Sequence, residues 1–255
     1  MEPKKGRREM KKFKLTTKSI TNEVGKKLFR IKALIDFGDV KAGELGGYVE
    51  KEGNVSQDDN AWVSGDAEVF GNAKVSGNAK VFGNAKVFGD ALVFGRALVF
   101  GDAKVSDNAW VYGDAKVSDN AKVFGNAEVY GDAKVFGNAW VSGDAKVSDN
   151  AKVFGNAEVY GDTEVSGDAK VSDNAEVSGD ADYALVKGFG AEFRCTTFYR
   201  DKNKKIMVNC GCFHGDLEAF RKQVKETRSG KIAKEYLMIA DLMEYHFTSE
   251  GSNNE

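Results

Sequence analysis

Valine occupies every sixth position from Val63 to Val177, twenty times in succession without one failure. The repeating unit is Ala–x–Val–x–Gly/Asp–Asn/Asp. No other feature restricts the fold of this chain so strongly. A period of six does not fit the 3.6-residue turn of an α-helix, so the run is not a helical face. Alanine and valine stand two apart, and a strand places such residues on one side. Both are therefore expected to point inward, with the flanking Lys, Glu, Trp, Leu, Phe, Tyr and Ser pointing out. The Gly–Asn/Asp pair suits a tight corner, because glycine and then Asn and Asp tolerate the left-handed region best. Arg96 takes the place of the usual Asn or Asp, and a strained left-handed corner is expected there. Short strands joined by regular corners can wind into a parallel coil in which each turn pairs with the next.

Units such as "VFGNAK" and "VSGDAE" resemble the hexapeptide repeat of left-handed β-helix proteins. The resemblance covers roughly residues 46 to 181 and implies a mainly β fold, a left-handed parallel β-helix. Three hexads would make each coil, with about seven coils in all. Val49 and Val55 already stand six apart, and Gln57 and Asp58 form a two-residue insertion before the strict register. The layout also resembles uncharacterised phage and prophage hexapeptide-repeat proteins. There an opening like "LFRIKALIDFGDVKAGELGGYVE" precedes the coils and a module like "CGCFHGDLEAFRKQVKET" follows them.

The flanks divide accordingly. Residues 1–12, with Lys4, Lys5, Arg7, Arg8, Lys11 and Lys12, read as a basic flexible arm. Residues 13–59 read as an N-terminal hairpin and capping coil, turning near Asn22–Gly25, and 60–181 as the repeat. Residues 182–247 read as a ββαα module with Asp216 as an N-cap. A disordered tail is expected over 248–255. Within the module, a short hairpin would set Cys195 opposite Cys210.

The net charge of −2 gives no pull toward nucleic acid or membrane. The chain shows no run of 18 apolar residues and no apolar leader segment at its start. Three cysteines do not read as a disulfide framework, and a cytoplasmic setting fits.

Relatives with this fold are best known as acyltransferases, which typically use a histidine as general base, and as three-histidine zinc carbonic anhydrases. The only histidines here are His214 and His246, both beyond the coil. Thr163 is the only threonine of the coil, which excludes a Thr–x–Thr ice-binding array. Cys195, Cys210, Cys212 and His214 could hold a tetrahedral zinc, but Cys–x–Cys is not the usual spacing and buried thiols are common in cores. No cofactor is expected.

Information should lie on the outward positions. The residue after each valine is aromatic in eleven hexads and serine in nine. Residues 18 apart should stack, which sets Phe94, Tyr112 and Tyr130 in one ladder beside Leu92 and Trp110. Phe100 and Leu98 lie on the next face, around the corner made by Arg96. A contiguous apolar patch of this kind marks an interface or ligand surface, although aromatic ladders also simply stiffen sheets. The expected function is a non-catalytic, oligomeric binding or scaffold protein, trimeric and phage-encoded. Its partner would be a host protein or a small anionic ligand, in one version a nucleotide signal with its base stacked on the aromatic faces. An acyltransferase-like enzyme and a self-assembling structural protein are the alternatives.

Overall fold

The computed structural model describes residues 11–190 and 193–248. The basic run before Lys11 and the tail after Thr248 lie outside the described residues. The chain is a left-handed parallel β-helix closed at each end by a different device.

Twenty two-residue rungs, from Trp62–Val63 to Glu176–Val177, form the coil. They stack into three flat sheets. Face 1 carries the rungs at Val63, Val81, Val99, Val117, Val135, Val153 and Val171; face 2 begins at Val69 and face 3 at Val75. Every rung up to Val159 pairs in parallel with the rung 18 positions on, as in Lys116↔Lys134 and Val117↔Val135. All twenty valines are fully buried, and alanine fills the second inward position of nearly every unit. The backbone is paired from coil to coil, for example Ser118 N to Val135 O at 3.0 Å and Lys116 N to Ala133 O at 2.9 Å, which meets main-chain groups that the narrow interior would otherwise leave without water. Thr163, buried where alanine is usual, satisfies its hydroxyl on Tyr160 O at 2.8 Å.

The corners differ from the sequence expectation in one respect. Only the first residue of the pair is left-handed. The corner glycines lie near φ +70°, and where Asp replaces glycine, at Asp107, Asp119, Asp149 and Asp173, φ is +55° to +58°. The Asn/Asp position, Arg96 included, stays outside that region, so Arg96 bears no backbone strain of this kind.

At the N-terminal end, β1 (Phe13–Thr21) and β2 (Lys27–Ala33) form an antiparallel hairpin. β3 (Leu45–Val49) joins β2 antiparallel and the Glu68–Val69 rung in parallel, so face 2 continues into the cap as one ten-stranded sheet. Val55 bridges Val75 on face 3, which makes 45–55 an irregular first coil.

The C-terminal module has four strands rather than two. β4 (Tyr183–Phe189), β5 (Arg194–Arg200), β6 (Ile206–Cys210) and β7 (Phe213–Asp216) form an antiparallel sheet. The first strand lies in "YALVKGF", whose apolar residues run together without alternation, and the last in "FHGD", too short to show a period. α1 (Leu217–Thr227) starts at the expected Asp216 N-cap, whose side chain accepts from Ala219 N, and α2 (Gly230–Thr248) packs beside it. Phe198, Val208, Phe220, Tyr236, Ile239 and Met243 fill a core separate from that of the coil. No helix among the described residues is long and apolar enough to cross a membrane.

Candidate functional surface of the coil

The outward positions carry the chemistry. Leu92 lies directly beside Trp110 in the face 3 ladder, and Trp110 is 43% exposed. Next to them Phe94, Tyr112 and Tyr130 form a stack with centroids 4.9 and 5.0 Å apart. Trp110 meets Phe94 edge-on at 6.3 Å. Across the Gly95–Arg96 corner, Leu98 and Phe100 belong to face 1, and Phe100 stacks on Phe82 at 4.9 Å. The eight residues singled out in the sequence thus make one strip that wraps a single edge of the prism.

Arg96 stands at that edge. Its guanidinium donates to Asp114 at 2.7 Å, replacing the Asn-to-Asn or Asn-to-Asp bond that links other corners. Asp114, with more distant help from Asp132, holds the guanidinium pKa above its ordinary value. Tyr112 donates to Glu128 at 2.9 Å. Burial first, then that bond, pushes its phenol up to about 12.

Ladder rings spaced at 4.9–5.0 Å with planes within 5° face one another. A ring pair at that spacing has no room for a third between them, since π-stacked rings need about 3.4–4 Å on each side. A nucleobase therefore cannot enter a ladder, and only the end faces of each stack stay open.

The zinc alternative is not assembled. Thr196, not Cys195, lies opposite Cys210 and donates to its sulfur at 3.1 Å. Alternation then sends Cys195 to the other face of the sheet. Burial, followed by the charge of Asp168, pushes the Cys195 thiol up. Cys212 is exposed in the β6–β7 turn, and His214 shares the Asn209 face. Among the described residues no three His, Cys, Asp or Glu side chains gather as a metal site requires.

His214 instead locks the module to the last coil. Its Nε2 contacts the Asp173 carboxylate, and its Nδ1 faces Asn209 Oδ1 at 2.8 Å. Asn209 Nδ2 donates to Lys170 O at 2.9 Å and to Ser172 Oγ at 3.1 Å. Ser172 Oγ lies 3.1 Å from the Tyr199 hydroxyl, whose pKa burial pushes up to about 12. Thr197 Oγ1 accepts from Lys170 N, taking over the bond that a further coil would have made.

The N-terminal end has a clasp that the sequence reading missed. Lys12, read as part of a free arm, is 2% exposed. Its ammonium donates to Asp59 O at 2.8 Å and Ala61 O at 2.9 Å, lies 3.6 Å from the Asp59 carboxylate and sits over the Phe37 ring. The inserted Gln57 holds the backbone of Lys12 and Phe13 through three bonds.

No protein-family model matches the chain, and no curated protein matches it. Among solved structures it is similar to a Bacillus cereus protein provisionally named an acetyltransferase, at 9% identity and a TM-score of 0.30, over 77% of this chain and 91% of that one. Such a superposition carries no activity across. The comparisons lend no support to the likeness to phage and prophage proteins. The repeat, its register and its corners make the chain a hexapeptide-repeat left-handed β-helix.

Proposed function

We propose that this protein is a non-catalytic binding scaffold that assembles as a homotrimer, with its sheet faces presenting partner and ligand surfaces. The carrying observation is the strip of Leu92, Phe94, Trp110 and Tyr112 with Leu98 and Phe100 around the Arg96 edge. At the position before valine most units use Lys or Glu; here leucine and tryptophan replace them side by side. Burying the face 3 part of this strip, Leu92, Phe94, Trp110 and Tyr112, between subunits is worth roughly 25 cal/mol per Å² of apolar area and leaves the far side of Phe100 on face 1 open. Light scattering should return a mass near three times 27.7 kDa. Leu92→Glu with Trp110→Glu should reduce it to one chain while the far-ultraviolet spectrum is kept. A wild-type monomer at micromolar concentration overturns the assembly.

The Asp173–His214 contact at the last corner supports one second reading, an acyltransferase-like enzyme with His214 as base. Both imidazole nitrogens are already engaged, whereas a general base needs one free to face a substrate proton. Acyl transfer from a coenzyme A thioester, lost in a His214→Ala/His246→Ala variant, would favour the enzyme. End-to-end self-assembly is disfavoured by the covered coil ends, where the hairpin and the four-stranded module take up the terminal rungs.

A further inference from the structure

The aromatic ladder of face 1 lacks one rung. Phe82 and Phe100 stack at 4.9 Å, Phe136 and Phe154 at 5.0 Å, each pair with planes within 2°. Between Phe100 and Phe136 the outward residue is Ser118, 18 positions from each. A ring above Ser118 would lie one coil, about 4.8 Å, from both walls, which is the spacing that the ladder already uses. Each wall has its inner ring face covered by a partner and its other face turned to the gap.

The surroundings of this slot are polar in an ordered way. Ser118 is 9% exposed, yet its hydroxyl has no hydrogen-bond partner among the described residues. Lys116 and Lys134 flank it on one side, and among the described residues neither meets a carboxylate at ion-pairing distance. On the other side Asp119 spends one carboxylate oxygen on Gly137 N at 3.0 Å. Across the slot, then, run two free ammonium groups, an apolar cleft with a free hydroxyl at its floor, and a carboxylate with one oxygen open.

We propose that the gap over Ser118 is a binding site for a flat aromatic carboxylate. Its ring would replace the missing rung between Phe100 and Phe136. Its carboxylate would meet Lys116 and Lys134, and a donor at the opposite end of the ring would face Ser118 and Asp119. A related gap lies on face 2, where Ser106, also 9% exposed, stands between Phe88 and Phe124 beside Lys104 and Lys122, although there Phe124 meets Trp140 edge-on and Lys122 sits over the Trp140 ring at 4.3 Å. The site rests on the reading of the protein as a binder but not on its trimeric state.

The test uses the full chain and 4-hydroxybenzoate as probe, followed by saturation-transfer NMR. Transfer to the ring protons is expected in the wild type and should be absent for trans-4-hydroxycyclohexanecarboxylate, which has the same charge and end groups without a flat ring. Ser118→Phe installs the residue that the same sheet carries at Phe100 and Phe136. It should raise the melting temperature by a few degrees by completing the ladder, and Ser106→Phe/Ser118→Phe should abolish the transfer. Lys116→Gln/Lys134→Gln should weaken binding at least about fivefold and leave the melt unchanged. The proposal is overturned by absence of transfer at millimolar probe, by equal transfer from the saturated analogue, by transfer that survives the double phenylalanine variant, or by a Ser118→Phe protein that melts lower. Mass measured on the same samples separates the two readings. A monomer that binds the probe removes the trimer and keeps the site, and a trimer that does not bind removes the site alone.

Discussion

Arg96 breaks the repeat in charge and size but not in backbone, since the left-handed residue of its corner is Gly95. Its exposed pair with Asp114 is screened by solvent and contributes little to stability. Arg96→Asn should therefore leave the melting temperature within a degree or two, and any loss of trimer in that variant would mark the guanidinium as an interface contact. The glycine beside it is the demanding position. At Gly125, φ is +71°, and an added Cβ would meet Gly143 N at 2.9 Å. Four natural units put Asp at such a corner, and at Asp107, Asp119 and Asp149 the carboxylate accepts from the glycine amide one coil on. Gly125→Ala should cost about 1–2 kcal/mol from the backbone alone. Gly125→Asp should cost about 1 kcal/mol less by regaining that bond. Paired thermal melts decide the order, and equal losses would mean that the carboxylate bond contributes nothing.

The caps show where sequence reasoning stops. Hexads were legible because each repeats one local chemistry, and Asp216 was legible because a cap and its helix are neighbours. Lys12 was not, since its acceptors lie 47 and 49 residues away and nothing around it but a basic run is visible in the sequence. The cysteine register failed for a related reason: the residues linking β5 and β6 set Thr196, not Cys195, opposite Cys210, and a one-residue slip reverses every face. The clasp also fixes a pH dependence. Burial pushes the Asp59 carboxyl up, but backbone donors Ala61 and Gly77, Ser56 and Lys12 outweigh it and hold its pKa below the ordinary value. A lowered carboxylate pKa gives stability that is present above the unfolded value near 3.9 and lost as pH falls through the folded one. Burial likewise lowers the Lys12 pKa against the pull of Asp59. The unfolded chain then holds that proton more tightly, so this contribution improves as pH rises through the folded value toward about 10.4. Hydrogen exchange at pH 3 should show β1 opening before the coil. Lys12→Met, which orphans two buried carbonyls, should cost about 1–3 kcal/mol and flatten the alkaline limb of the stability curve.

At the scale of the whole molecule the coil is one-dimensional, and its stability is close to a sum over coils and their interfaces. The unit of that sum is 18 residues, because the rungs pair 18 residues apart. Removal of residues 115–132 takes out one full coil and leaves both caps on their own faces. The new neighbours are then all valine on valine, so the shortened chain should fold cooperatively at a lower melting temperature. Removal of only 115–120 keeps the inward pattern, yet moves every later hexad to the next face. The C-terminal module then docks one face away from its present setting relative to the hairpin, and the aromatic columns no longer align. The 18-residue deletion has a second consequence that ties architecture to binding. On face 1 it sets Phe136 directly against Phe100 and closes the gap that Ser118 had left. On face 2 it removes Phe124 and sets Ser106 beside Ser142, so that slot loses a wall. The prediction is a folded protein, by circular dichroism and a single melting transition, that no longer transfers saturation to 4-hydroxybenzoate. A folded variant that still binds the probe would place the ligand elsewhere on the molecule, and an unfolded one would show that the coils are not interchangeable.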